Sequence, residues 1–200
     1  MSTFFTADQH FGHTNIISYT NRPHTDVDQM NEDIVYKWNS IVSNQDKVYV
    51  LGDICMGRIS DSLQLVDLLN GTKYLVPGNH DRMFNVNSSK KHFQWIEQYE
   101  KVGLEIFPFT QVMGKIKRKK VLLSHFPYSG DSHEKDRFVE MRPIDKGLHL
   151  LHGHTHGAWR KKGRMIDVGV DAWGGVPVSE DEVHDLQKST ITDVPPLIWI

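Results

Sequence analysis

Five short apolar runs in this chain each end in side chains of the kind that hold metal ions. Phe4-Phe5 leads to Asp8-Gln9-His10, and Lys47 to Leu51 leads to Gly52-Asp53. Lys73 to Val76 leads to Gly78-Asn79-His80-Asp81, Val121 to Leu123 to Ser124-His125, and Leu148 to His152 to Gly153-His154-Thr155-His156. Runs rich in β-branched, aromatic and aliphatic residues, stopped by glycine or proline, read as strands. In a layered α/β fold the carboxyl ends of the strands collect along one rim, where ligands commonly bind. Segments far apart in the chain can therefore meet there.

The intervening residues supply the crossovers. Met30, Ile34, Trp38, Ile41 and Val42 recur at helical spacing. Ser60 is read as the N-cap of a second helix carrying Leu63, Val66 and Leu69. A third helix is expected from about Asn85 to Glu100, with Phe93 and Ile96 inward. Strand and helix thus alternate over the first half, which favours a mainly parallel sheet. The second half reads as strands near 104–107, 110–113, 121–124, 148–152 and 165–170. Ser179 and Glu182 then form a capping box, with Val178 and Val183 as its hydrophobic staple, opening a helix at about Glu180. The tail from Val194 is extended. No linker or composition shift divides the chain, so one domain over residues 1–200 is expected, its strands split between two packed sheets.

Composition excludes several classes. The formal net charge is -2, which offers no general attraction to a polyanion or an acidic membrane. Nucleic acid is therefore not expected as a partner. The single cysteine, Cys55, cannot form an internal disulfide and fits a reducing, cytoplasmic compartment. No apolar run approaches the ~20 residues that span a bilayer. Two basic runs, Lys115 to Lys120 and Arg160 to Arg164, are read as solvated hairpin tips that limit edge pairing.

The collected donors are Asp8, His10, Asp53, Asn79, His125, His154 and His156: oxygen and imidazole, with no thiolate. Such a set suits Mn²⁺, Fe or Zn²⁺ rather than a structural zinc site built on cysteines. Seven protein ligands exceed what one ion takes alongside water, so two ions sharing a carboxylate fit better. Asp8 with His10, and His154 with His156, stand two residues apart, which an extended backbone aims to one side.

In this order the motifs resemble those of the calcineurin-like metallophosphoesterases, most closely the small single-domain bacterial and bacteriophage members. Phe11-Gly12-His13, Met30-Asn31, Trp38-Asn39, Arg142-Pro143 and Gly169-Val170-Asp171 extend the similarity. The resemblance implies a four-layer αββα sandwich with two mixed β-sheets and a binuclear metal centre at one edge. By position it gives Asp8, His10 and His156 to one divalent ion and Asn79, His125 and His154 to the other, with Asp53 bridging. The ions implied are Mn, with Fe, Zn, Ni or Co as alternatives. His80 faces the substrate as proton donor to the leaving oxygen, and Asp81 holds its imidazole. His13 and Arg22, in the first strand-to-helix loop, are read as substrate contacts, a surface role being the alternative for Arg22. His152 is read as packing, and His24, His92, His133, His149 and His184 as surface or structural. The turn-rich stretch 128–142 is the candidate specificity loop.

The function so implied is hydrolysis of phosphodiesters of small nucleotides, cyclic ones among them, by a metal-activated hydroxide. Phosphomonoester hydrolysis is the near alternative. A nuclease, or a metal-site scaffold that only binds a partner protein, fits less well: the charge is wrong for the first, and His80 with every ligand is retained against the second.

Overall fold

In chain order the elements are β1 (Thr3–Thr6), α1 (Ile16–Tyr19), α2 (Val27–Ile41), β2 (Lys47–Val50), α3 (Ile59–Ser62), α4 (Gln64–Asp67), β3 (Thr72–Leu75), α5 (Ser89–Lys101) and β4 (Leu104–Ile106). They continue as β5 (Gln111–Ile116), β6 (Lys119–Ser124), β7 (His149–His152), β8 (Lys161–Lys162), β9 (Met165–Asp167), β10 (Val178–Ser179), α6 (Glu180–Lys188) and β11 (Asp193–Val194). This computed structural model describes residues 1–84 and 88–199.

The first sheet runs β10-β1-β2-β3-β4, parallel from β1 to β4 with β10 antiparallel at its edge. Alternation along β2 shows how it is sandwiched. Val48 and Val50 point to Met30, Ile34 and Trp38 of α2 and to Leu63, Val66, Leu75 and Tyr99. Tyr49 and Leu51 point the other way, among Phe5, Val76, Val121, Leu123, Leu151 and Ile166. That second cluster lies between the two sheets, because Val121, Leu123, Leu151 and Ile166 belong to the second sheet, ordered β11-β8-β9-β7-β6-β5. Parallel β6, β7 and β9 form its centre, and antiparallel hairpins its edges. Outside it, Leu150, Trp159 and Met165 pack with Leu122 and Tyr128. This fourth layer comes from the segment after β6, with one 3-10 turn at Val139–Met141.

Local chemistry sets the ends. Asp26 caps α2 by accepting from the Gln29 amide, and Ser179 with Glu182 forms the expected capping box for α6. Asp46 accepts from the Ser43 amide and hydroxyl and from the Ser2 amide, closing the turn before β2 and tying down the start of β1.

Three expectations need correction. The second helix starts at Ile59 without a Ser60 cap and breaks into α3 and α4. The third is α5, which begins at Ser89; its expected start near Asn85 falls at 85–87, outside the described residues. Phe93 is 67% exposed, while Tyr99 carries the burial on that helix, because the core-facing stripe runs through Trp95, Ile96 and Tyr99. Within the second basic run, Lys161 is buried: its Nζ donates to the carbonyls of Leu186 and Ser189 and secures the end of α6.

Candidate metal centre

The carboxyl ends of β1, β2, β3, β6 and β7 meet where the sheets are stitched together. The Val170 amide donates to Ala7 O at 3.0 Å across the gap, and within the second sheet Gly153 N donates to His125 O. Close approach is possible because two positions carry no side chain. A Cβ on Gly78 would collide with the Asp53 carboxylate and His125, and one on Gly153 with the Asp8 carboxylate and Ala7. The backbone at the donors is not extended, contrary to the sequence argument. Asp8, His10, Asp53, His154 and His156 all lie at positive φ, between 44 and 70°. Asp and His are among the residues that enter this left-handed region most readily.

Donor atoms of Asp8, His10 and His156 fall within 4.8 Å of one another, as do those of Asp8, Asp53 and His125. The two groups share Asp8. Asp53 Oδ2 lies 3.3 Å from His125 Nε2 and 3.7 Å from His10 Nε2, and Asn79 Oδ1 is 3.1 Å from His125 Nε2. His154 lies alongside, its ring 5.2 Å from that of His125 and its amide donating to Asp8 Oδ2. All seven sequence-selected donors thus gather at one point of the rim.

The partners of these groups fix their orientation. His125 donates from Nδ1 to Leu51 O at 2.8 Å, which turns Nε2 towards Asp53 and Asn79. His156 donates from Nδ1 to Asp171 at 3.1 Å. Asp171 in turn takes two parallel hydrogen bonds, 2.8 and 2.9 Å long, from Arg22. The remaining Arg22 hydrogens go to Asp8 O, Gln9 O and Met30 Sδ. Arg22 is therefore buried under the centre, and its donors are committed to protein atoms rather than to a substrate phosphate. Asp81 likewise departs from the expectation: its carboxylate accepts from the amides of Asp53, Ile54 and Gly78 and clamps two ligand loops together. His13 Nδ1 is 3.3 Å from His10 Nδ1.

Buried charge is expensive here. Burial pushes the Asp8 carboxyl up to about 7 and Asp81 likewise to about 7. It drives the His154 imidazole down to about 2. Burial also opposes ionisation of Asp53, but the His125 imidazole at its side prevails and holds that carboxyl well below the usual range. The same pair lifts His125 to about 9 against the effect of burial.

Whether a cation fits can be judged from what lacks a partner. Asp8 Oδ1, His10 Nε2 and His154 Nε2 are buried without hydrogen bonds. Each such atom costs ~1–3 kcal/mol if nothing binds it. Two carboxylates, an amide oxygen and imidazole nitrogens are a suitable set for first-row divalent ions.

Beside the centre opens a pocket of about 490 Å³, with His10, His80 and His156 on its floor and Tyr19 and Arg137 on its rim. His80 is 39% exposed there, with Nε2 3.9 Å from Asp53 Oδ2. A comparable cavity of about 520 Å³ lies between α2 and Trp199, but it contains none of the donors. Sequence reasoning picked out the 128–142 stretch as the specificity loop but gave Asp131 and Arg137 no role of their own and read His133 as surface or structural. Asp131 is buried 3.4 Å from His154 Nε2, and Arg137 and His133 line the pocket. Loop residues without periodicity carry no local signal for such placement.

Two mixed sheets between helical and loop layers carry a carboxylate–imidazole cage suited to divalent ions at their shared rim. The chain belongs to the calcineurin-like phosphoesterase family, whose sequence model matches residues 1–164. It is 33% and 34% identical to the gene 66 proteins of Mycobacterium phages L5 and D29, over 92% of this chain in both cases and 93% and 95% of theirs. A solved structure of a protein of unknown function from Aquifex aeolicus is similar in fold, with a TM-score of 0.69 and 26% identity, covering 92% of this chain and 98% of that one.

Proposed function

We infer that the protein is a binuclear metal-dependent phosphodiesterase acting on small nucleotides, cyclic nucleotides included, within one domain. The observation that carries this reading is that Asp8 Oδ1 and His10 Nε2, buried and without hydrogen-bond partners, belong to residues grouped with His156, Asp53 and His125, with the partnerless His154 Nε2 buried alongside. Asp8, His10 and His156 would hold one ion and Asn79, His125 and His154 the other, with Asp53 between them. Such a pair supplies positive charge at the phosphoryl oxygens and acidifies the attacking water.

The chain's own groups do the rest. With Nε2 turned to the cage, His10 carries its proton on Nδ1 and donates it to His13, so His13 positions a ligand as well as lining the pocket. Arg22 and Asp171 lock His156 by hydrogen bonds, which is a positioning role in place of the phosphate contact expected from sequence. The exposed His80 imidazole lies where it can give a proton to the departing oxygen. Diesters are favoured over monoesters because the adjoining 490 Å³ pocket offers space for a second ester arm.

Hydrolysis of bis-p-nitrophenyl phosphate and p-nitrophenyl phosphate, with Mn²⁺ and then with chelator, tests this. Diester turnover that the chelator abolishes is expected. Turnover of the monoester alone would make the protein a phosphatase, and silence on both would leave a scaffold. A panel of 2′,3′- and 3′,5′-cyclic nucleotides then locates the substrate.

A further inference from the structure

The pocket beside the cage has an uneven lining. Among the described residues no carboxylate lines it. One wall is apolar and aromatic, made by Ile16, Tyr19 and Met56, and Tyr19 is 71% exposed. The opposite rim belongs to the 128–142 segment and carries Ser132, His133 and Arg137. Imidazoles form the floor between them. A pocket lined by imidazoles, hydroxyls and apolar surface, and ending in a guanidinium, is complementary to an anion on an organic body.

The Arg137 fork is held in place. Its Nε and Nη2 bond to Asp131, the latter at 2.8 Å, and Asp131 also accepts from the Arg137 amide. The Asp131 side chain is buried and receives a second guanidinium, from the buried Arg142, which bonds in addition to Asp136 and to the carbonyls of Gly130 and Arg137. These hydrogen bonds fix the loop before any ligand arrives. Arg137 Nη1 has no hydrogen-bond partner among the described residues, and the side chain is 37% exposed at the rim. A fork pinned along one edge keeps its other edge for a ligand at little entropic cost.

We propose that Arg137 forms a second anion site, so that the preferred substrate is a nucleotide phosphodiester carrying a further phosphate on the side away from the metal cage. This rests on the phosphodiesterase reading above and names its substrate class. The nucleoside stacks along Tyr19 and Ile16, the scissile ester lies over the cage, and the second phosphate meets Arg137 with His133 beside it. That phosphate can belong to a bisphosphorylated mononucleotide or to the next linkage of a short chain.

The test compares thymidine 5′-(p-nitrophenyl phosphate) with its 3′-phosphate, and with an analogue whose 3′-phosphate is esterified to a second thymidine. For the wild type with Mn²⁺, kcat/KM is expected to be higher with the 3′-phosphate present. R137Q should lower that ratio by about tenfold to a hundredfold, the effect of one charge-assisted hydrogen bond, chiefly through KM. R137K, which keeps the charge but not the fork, should recover part of it. Calorimetric titration of the Mn²⁺-loaded protein with thymidine 3′,5′-bisphosphate should show the same loss of affinity in R137Q. A loss confined to the free 3′-phosphate assigns a mononucleotide, and an equal loss with the dinucleotide assigns a chain. Equal kcat/KM for all three esters, unchanged in R137Q, would overturn the anion site and leave the phosphodiesterase reading intact. Absence of any hydrolysis by the wild type would instead overturn that reading.

Discussion

Asp53 and His80 come within 3.9 Å of each other and are still expected to fail in different ways. Asp53 is enclosed by His10, His125 and the His80 amide. Its replacement by alanine should empty the cage as well as stop turnover, read as metal content after gel filtration. His80 is half open to the pocket and touches the cage only at its edge. H80A should therefore keep nearly full metal while losing about 10²–10⁴-fold in kcat, the contribution of a well-placed acid. Full metal content with normal turnover in D53A would remove the bridging role. At this scale the seven donors were legible because each follows an apolar run directly. Arg22 was misread because its partner, Asp171, lies 149 residues away, and no local pattern announces such a pair. Asp81 was misread for a related reason: adjacency to His80 in sequence says nothing about which way a carboxylate turns.

Single elements carry their own energetics, and the turn before β2 is one example. Asp46 accepts hydrogen bonds from the Ser2 and Ser43 amides and the Ser43 hydroxyl, and these hold its carboxyl down at about 2. An unfolded aspartate titrates near ~4. The stabilisation is thus complete above that value and is lost as pH falls from ~4 towards 2. Urea melts of wild type and D46N at pH 7, 4 and 2.5 should show the variant weaker at pH 7 and the difference shrinking at acid pH. A gap that stayed constant would mean the carboxylate charge is irrelevant to the turn. Element existence was mostly readable, because strand alternation and the Ser179–Glu182 box are local. Phe93 was misplaced because α5 has aromatics on more than one side, and only packing against the sheet selects the stripe ending at Tyr99.

For the whole molecule, the metal centre and the fold are one problem. Donors from both sheets meet at the rim, so ions bound there cross-link the two halves of the sandwich. Anything that binds only the folded state stabilises it, by about 2.7 kcal/mol at a hundredfold excess over Kd. For a chain of this size that corresponds to about 5–10 °C in Tm. Calorimetry with saturating Mn²⁺ and with chelator should show this difference, and identical melting would separate the ions from the fold. The alternating pattern of the first half made a parallel sheet legible. The split of the strands between two packed sheets was read from the chain as well, but the four-layer order came from family resemblance, since face-to-face stacking leaves no periodicity of its own.

The left-handed backbone at Asp8, His10, Asp53, His154 and His156 sets limits on how this cage can change. Glutamate or a β-branched residue at any of these posts would meet a conformational penalty before its chemistry mattered. Asn79 and His125 lie outside that restriction. Retuning the protein towards a different ion, by natural drift or by design, is therefore free of backbone restriction only at Asn79 and His125, while the other five posts favour exchange among Asp, Asn and His.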